Sequence, residues 1–284
     1  LISALFGRSF LIFKMAFNLG FIGGGNMSTA IAKGILKNEN HPPSKLWVAG
    51  PRLNNLQHWK DWGANVTTNS GELIIQCDVV FIGVKPGVLN EVITDCLQTV
   101  KPTSKKVLFI SMLAGITIEQ LHKTYLYRFV IRILPNTPMA VGAGSCLYSV
   151  DNQITQDQCT LLENLLQGCG VVEKIPENLM NHLGALTGCG PAFMYMVIDA
   201  LADGAVKLGV PRAMAIRHAA QMVAGSGQMV LQSGKHPGVL KDEVCSPGGC
   251  TICGVAALEN GKLRATLINA LDAASDKAKE MGNK

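Results

Sequence analysis

The sequence predicts an α/β Rossmann-type N-terminal domain with a parallel sheet, followed by an all-α C-terminal dimerisation domain. Three observations carry this reading. Short apolar strands alternate with helices of ~10 residues as far as residue 175, the pattern of a βαβ series. The first strand runs into Gly23-Gly24-Gly25, which opens a helix. Beyond residue 176 the strands stop and helical periodicity takes over.

The elements follow in order. Residues 17–22 form an apolar strand, and the helix after it sets Met27, Ala30, Ile31, Gly34 and Ile35 on one face. Strands are expected at 46–49, 66–67, 78–84, 106–111 and 128–134. Helices are expected at 53–62, 88–100 and 117–123. Pro86 cannot continue the 78–84 strand in mid-sheet. In the second half, residues 178–186, 192–208, 212–231 and 263–281 read as helices, with Pro191 where a first helical turn tolerates proline. The stretch 192–202 is apolar nearly all round and so calls for burial on every side. A domain of this size provides that most simply through a second subunit. The domain boundaries are therefore 15–175 for dinucleotide binding and 176–284 for dimerisation and substrate.

Residues 1–14 hold two basic side chains, Arg8 and Lys14, and no acid. They read as an organelle-targeting remnant or as upstream sequence outside the fold, and the second reading is preferred. Bulk properties narrow the function. With 48% hydrophobic and 16% charged residues, a large core is available and disorder is not expected. The net charge of +5 suits anionic small molecules. The basic residues are scattered, with no run longer than Lys105-Lys106, which disfavours nucleic acid. No apolar run reaches the ~18 residues of a membrane span; 192–202 comes nearest and Asp199 interrupts it. Nine cysteines in no framework pattern suggest a reducing compartment, the cytoplasm, with the mitochondrion as alternative.

The chemistry concentrates in four places. In the glycine loop, Gly23 makes the tight turn and Gly25 lets a pyrophosphate approach the backbone. Asn26 and Met27 then begin a helix whose N-terminus faces the anion, and Ser28 stands where a third glycine is usual. After the second strand, Ala49-Gly50-Pro51-Arg52 lacks the carboxylate that would hold a ribose 2′-hydroxyl. A guanidinium there suits a 2′-phosphate, so NADPH is expected, with NADH possible. Val84, Lys85 and Pro86 end the fourth strand, and Ser111-Met112-Leu113-Ala114-Gly115 ends the next. Both lie on the edge where such sheets bind ligands, with Ala114 and Gly115 admitting a nicotinamide ring and Asn69 on the adenine side. Finally Ser246-Pro247-Gly248-Gly249-Cys250-Thr251 turns into a helix and presents successive N–H groups, a carboxylate cradle to which Thr251 adds a hydroxyl.

Taken together, GFIGGGNMSTAIAKG (20–34), VKP (84–86), LPNTP (134–138), GCGPAF (188–193), DGAVKLGVPR (203–212) and KDEVCSPGGCTICGVAALE (241–259) resemble the pyrroline-5-carboxylate reductase family from about Met15 onward. The resemblance implies reduction of 1-pyrroline-5-carboxylate to L-proline by hydride from NAD(P)H, the last step of proline biosynthesis. It implies that Gly248, Gly249, Cys250 and Thr251 hold the substrate carboxylate with Ser246 nearby. It also implies that the Thr251 hydroxyl lies near the imine nitrogen as the catalytic side chain, and that dimers assemble into larger homo-oligomers. Two positions depart from the family pattern: Cys189, where serine is usual, and Cys250, where threonine or alanine is usual.

Other readings are weaker. Cys245, Cys250 and Cys253 lack the second pair that a closed zinc site wants, so no metal is expected. A Cys250–Cys253 redox dithiol competes with the substrate role. Glu177 and His182 read as structural rather than as a general acid. Another NADP-dependent imine or hydroxyacid oxidoreductase is the nearest rival, but the hydroxyacid type needs a lysine early in the second domain, and 176–195 has none. A silent NADPH-binding protein is the rival outside enzymes.

Overall fold

The computed structural model describes residues 17–37, 41–101, 106–123 and 127–282; the expected N-terminal extension, 1–14, lies outside them. The chain divides into two compact units. The first runs to Gly188 and takes back the residues from Ser275; the second is Cys189–Ala274.

The first unit is built on eight strands: β1 (Leu19–Ile22), β2 (Leu46–Ala49), β3 (Asn65–Thr67), β4 (Val79–Ile82), β5 (Leu108–Ser111), β6 (Phe129–Leu134), β7 (Gly144–Ser149) and β8 (Gly170–Lys174). They lie in the order β3-β2-β1-β4-β5-β6-β7-β8. All neighbours are parallel except β6 and β7, which pair antiparallel. The helices of this unit are α1 (Asn26–Lys37), α2 (Gln57–Asp61), α3 (Ser70–Gln76), α4 (Leu89–Thr99), α5 (Ile118–His122), α6 (Gln156–Leu166) and α7 (Met180–Gly184). β1, β4 and β5 are buried along their whole length, as expected for central strands covered on both faces. Two apolar layers result. One gathers Phe21, Ile31, Ile35, Trp59 and Phe81; the other gathers Leu73, Val80, Phe109 and Tyr127.

Nine of the ten expected elements of this half are present, the 46–49 strand with its expected ends, and the tenth, the expected helix at 53–62, is a 3₁₀ turn (Leu53–Leu56) leading into α2. Four elements had no expectation: α3, α6, β7 and β8. The fully buried Arg132 on β6 explains how the antiparallel end of the sheet is tied down. Its Nη1 donates to Glu177 Oε1 at 3.0 Å and its Nη2 to Asn181 Oδ1 at 3.1 Å. Glu177 Oε1 also accepts the Ile118 N–H at 3.0 Å. Glu177 is thus a structural anchor rather than an acid in search of a substrate. His182 is exposed and lies 3.2 Å from the Ser275 hydroxyl.

The expected helix at 178–186 is broken into a 3₁₀ turn (Glu177–Leu179), α7 and a π-turn (Ala185–Cys189). Pro191 explains part of this. It has no N–H for the Thr187 carbonyl four residues back, and Asn136 Nδ2 donates to that carbonyl instead at 3.0 Å. Asn136 Oδ1 in turn accepts the Ser145 N–H at 2.9 Å, so one buried amide joins β7 to the π-turn.

His41 packs against Phe17, with ring centroids 4.8 Å apart, and is almost fully buried. Burial, helped by the nearby Lys45 charge, lowers its pKa from 6.5 to about 4. The fold therefore prefers the neutral ring, so the contribution is complete above pH 6.5 and is lost as pH falls towards 4. Stability at pH 5 is expected to lie about 2 kcal/mol below that at pH 7 from this group. Chemical denaturation of wild type and His41→Phe at both pH values checks it: equal slopes in the two proteins would refute the assignment.

The second unit holds α8 (Gly190–Lys207), α9 (Arg212–Ser233), α10 (Pro237–Glu243), α11 (Cys250–Asn260) and the first part of α12 (Leu263–Gly282). α10 was not expected; it is short and His236 caps it, Nδ1 accepting the Gly238 N–H. α8 turns into α9 through Gly209, whose φ of +94° is the left-handed conformation that ends a helix. Only Ala202 and Ala215 are buried apolar residues here, while Met196, Leu208 and Leu231 are 73%, 85% and 79% exposed. The helical run Glu177–Lys207, 31 residues, has the length and composition to cross a membrane. It does so as an average over a window that takes in Asp199, by length and composition only and not as a continuous apolar run.

Candidate active site

The strand order reverses between β1 and β4, and ligands of such sheets sit outside the strand ends at that point. Gly23 follows β1 and Gly83 follows β4. Gly23 N–H donates to Ala49 O and Gly83 N–H to Ile22 O, both at 2.8 Å, so the two loops are held by the strands on either side.

The three loop glycines are there for different reasons. Gly23 has φ +96°, and a Cβ on it would lie 2.8 Å from the Gly83 carbonyl. A Cβ on Gly24 would strike Leu56. A Cβ on Gly25 would meet nothing within 4 Å. So two glycines serve packing, and the third faces open space at the start of α1. Thr29 N–H reaches Gly25 O at 2.9 Å, which makes Gly25 the N-cap and leaves the N–H groups of Asn26, Met27 and Ser28 without an intrahelical acceptor. The first turn of α1 has no acidic residue. Ser28 is buried and its hydroxyl has no hydrogen-bond partner among the described residues. A Cβ on Gly83 would strike that hydroxyl, so serine fills the third-glycine position snugly.

The other sequence-derived positions fall around this edge. Arg52 is exposed and extended just after β2, with no acid between Gly50 and Leu56. Lys85 is exposed at the head of the 3₁₀ turn Pro86–Val88, with Val84 and Pro86 half-buried. Ala114 is exposed after β5, and Gly115 beside it takes φ +78°. Asn69 follows β3, but its side chain is engaged as the α3 cap: Oδ1 accepts the Glu72 N–H at 2.9 Å and Nδ2 donates to Thr99 Oγ1 at 3.4 Å. Sequence reading passed over Thr29, whose Oγ1 lies 3.2 Å from His58 Nε2 and links α1 to α2 beneath the loop. No local pattern marks that pair, which is 29 residues apart.

In the second unit, Ser246-Pro247-Gly248-Gly249 forms a turn closed by Gly249 N–H to Ser246 O at 3.0 Å. Gly248 is left-handed at φ +67°. Gly249 caps α11 without a side-chain bond, so the first N–H groups of α11, from Cys250 onward, have no acceptor in the helix. Ser246, Gly248, Cys250 and Thr251 are exposed and Gly249 is half-buried, with no acid in the first turn. The turn is an uncapped helix start open to an anion. No cluster of three or more metal-ligating side chains occurs among the described residues.

Known proteins match both halves. The family model for pyrroline-5-carboxylate reductase dimerisation covers residues 177–281, and that for NADP oxidoreductase, coenzyme F420-dependent, covers 18–115. Pyrroline-5-carboxylate reductase 3 of Danio rerio is 42% identical over 267 residues, covering 94% of this chain and 92% of its own. The Escherichia coli reductase is 36% identical over 93% of this chain and 97% of its own. A crystal structure of Plasmodium falciparum pyrroline carboxylate reductase with NADP bound superposes with a TM-score of 0.83 at 32% identity, covering 94% and 98% of the two chains. Over nearly its whole length, then, the chain belongs to the pyrroline-5-carboxylate reductase family.

Proposed function

We propose that the protein reduces 1-pyrroline-5-carboxylate to L-proline with NADPH, the last step of proline biosynthesis. The observation that carries this is the open helix start at Gly248–Thr251 in a chain that also holds a dinucleotide loop. Family membership supports it, as does the NADP bound to the Plasmodium relative.

The residues present fit a dinucleotide. Gly25 leaves the space that a pyrophosphate needs, and the free N–H groups of Asn26 and Met27 meet its charge at the positive end of α1. Arg52 pairs with the 2′-phosphate of the adenine ribose. Asn69 stands on the adenine side, Lys85 offers a charge at the β4 edge, and Val84, Pro86, Ala114 and Gly115 form the wall beside the nicotinamide. Bound NADPH supplies the hydride that reduces the ring C=N carbon.

The cyclic imine is already electrophilic once protonated, so the protein's task is orientation. The α11 N–H groups of Cys250 and Thr251, with Gly248, Gly249 and Ser246 shaping the turn, fix the carboxylate. The Thr251 hydroxyl holds the imine nitrogen and keeps the ring from rotating away.

Steady-state NADPH oxidation with 1-pyrroline-5-carboxylate tests the proposal: absence of turnover with the cofactor still bound would make the protein a silent NADPH binder. Thr251→Val is expected to lower kcat/KM by about 10- to 100-fold, the range for losing a hydrogen bond to a charged group. Thr251→Ser, which restores the hydroxyl, should recover most of it. Arg52→Glu is expected to reverse the preference from NADPH to NADH, read as the ratio of the two KM values; an unchanged ratio would remove Arg52 from the site.

The helical part forms an oligomer through the dimerisation family's surface, and we place its start at residue 176, supported by the family match from 177. Further assembly of dimers into a larger homo-oligomer and a cytoplasmic location complete the proposal. Subunit contact accounts for the apolarity of Glu177–Lys207 without a membrane.

A further inference from the structure

Two thiols stand in the first turn of α11, at its first and fourth positions, and both are exposed: Cys250 and Cys253. Five other cysteines are buried. Burial alone pushes Cys169 up to about 11; it is also the main reason Cys96 is pushed up to about 12, helped there by the Asp95 charge. An oxidant in solution therefore meets the α11 thiols, with the exposed Cys189 and the half-buried Cys245, before the buried ones, and of these only Cys250 and Cys253 share one helical turn.

We infer that Cys250 and Cys253 form a reversible disulfide that switches off substrate binding. This rests on the reading of Gly248–Thr251 as the carboxylate cradle. Residues three apart on a helix have Cβ atoms about 5–6 Å apart. A disulfide brings them to about 3.5–4.5 Å, with Cα atoms 4.4–6.8 Å apart. Closing the bond thus needs the first turn to tighten by about 1 Å, with no long-range rearrangement. That turn carries the N–H groups of Cys250 and Thr251, and no side chain caps it in place. Tightening it re-aims the donors that hold the carboxylate.

The oxidant is a hydroperoxide. The Cys250 thiolate attacks its distal oxygen, the O–O bond breaks, and an alcohol or water leaves with a proton. The Cys253 thiol then attacks the Cys250 sulfur; the S–S bond forms, the S–O bond breaks and water leaves. Two thiols lose two electrons and two protons, and the hydroperoxide takes them up. A dithiol reverses the step by exchange.

The test treats the full-length, NADPH-loaded enzyme with hydrogen peroxide, blocks free thiols with N-ethylmaleimide, and reads the 242–262 tryptic peptide by tandem mass spectrometry. The expected result is a loss of ~2 Da with one blocked thiol, Cys245. Fragmentation before Pro247 should be retained and fragments between residues 250 and 253 should be missing. The KM for 1-pyrroline-5-carboxylate should rise at least ~10-fold, and dithiothreitol should restore it. Prior addition of L-proline, whose carboxylate fills the cradle, should slow the mass change. Cys253→Ala should keep the untreated kinetics and show no 2 Da loss. Three blocked thiols, a bridge to Cys245, or a disulfide that leaves KM unchanged would each overturn the switch. If untreated enzyme fails to turn over while the disulfide forms with no protection by proline, both the cradle and the switch fall. Protection by proline without turnover would sink the reductase reading alone.

Discussion

Gly25→Asp is expected to abolish tight NADPH binding while leaving the fold as stable as before or slightly more so. The two effects have different origins, so they separate. A Cβ at residue 25 has open space around it, with nothing within 4 Å, so the substitution starts without a clash. Residue 25 is the N-cap of α1, and Thr29 N–H bonds to its carbonyl. Aspartate is a good N-cap, only a few tenths of a kcal/mol better than glycine. Its φ is not in the left-handed range, so an L-residue is not strained there. The cofactor sees the same carboxylate very differently. Two unit charges 4 Å apart at an effective dielectric of 20 repel by about 4 kcal/mol, and the pyrophosphate also loses the space it needs. The dissociation constant for NADPH should therefore rise at least ~100-fold, with a thermal midpoint within about 2 °C of wild type. Titration calorimetry and a thermal melt on the same preparation read both. Retained affinity would remove the loop from the cofactor site. A collapse in stability would show that residue 25 is a packing position like Gly24.

Gly25 also shows how much of the site was legible in advance. Its type and place at a strand-to-helix junction are local facts, and so are the runs of apolar residues that became β1, β4 and β5. The same holds for Ser246–Thr251, where proline and glycine mark the turn and an apolar run marks the helix. What stayed hidden depends on partners far away in the chain. Arg132 sits inside an apolar strand and reads as an error until Glu177 and Asn181, 45 and 49 residues on, are seen to meet it. β7 and β8 were missed because the polar Ser145 and Ser149 and the exposed Glu173 and Lys174 dilute their apolar pattern at a sheet margin. Asn136 was visible within the LPNTP segment, yet its work depends on the carbonyl that Pro191 cannot serve. The π-turn that ends the expected 178–186 helix reflects that long-range exchange.

The largest expected effect on assembly comes from Met196→Lys. The second unit buries only Ala202 and Ala215 among its apolar residues, which is far too little to hold five helical segments together. Tyr195, Met196, Leu208, Met229 and Leu231 are each more than half exposed, large apolar side chains that a second subunit would cover. Met196 is 73% exposed in the single subunit, so lysine there costs the isolated fold almost nothing. Buried against a second subunit, the same lysine would lack a partner charge and oppose association by several kcal/mol. The oligomer should then dissociate at micromolar concentration, and because the helices gain their stability from the partner, the thermal midpoint should fall and become concentration-dependent. Light scattering and melts over a hundredfold concentration range measure both. A variant that keeps the wild-type mass, with a midpoint independent of concentration, would place the subunit contact on another face of α8. A variant that dissociates yet keeps its midpoint would show that the second unit is stable alone, against the burial pattern seen here.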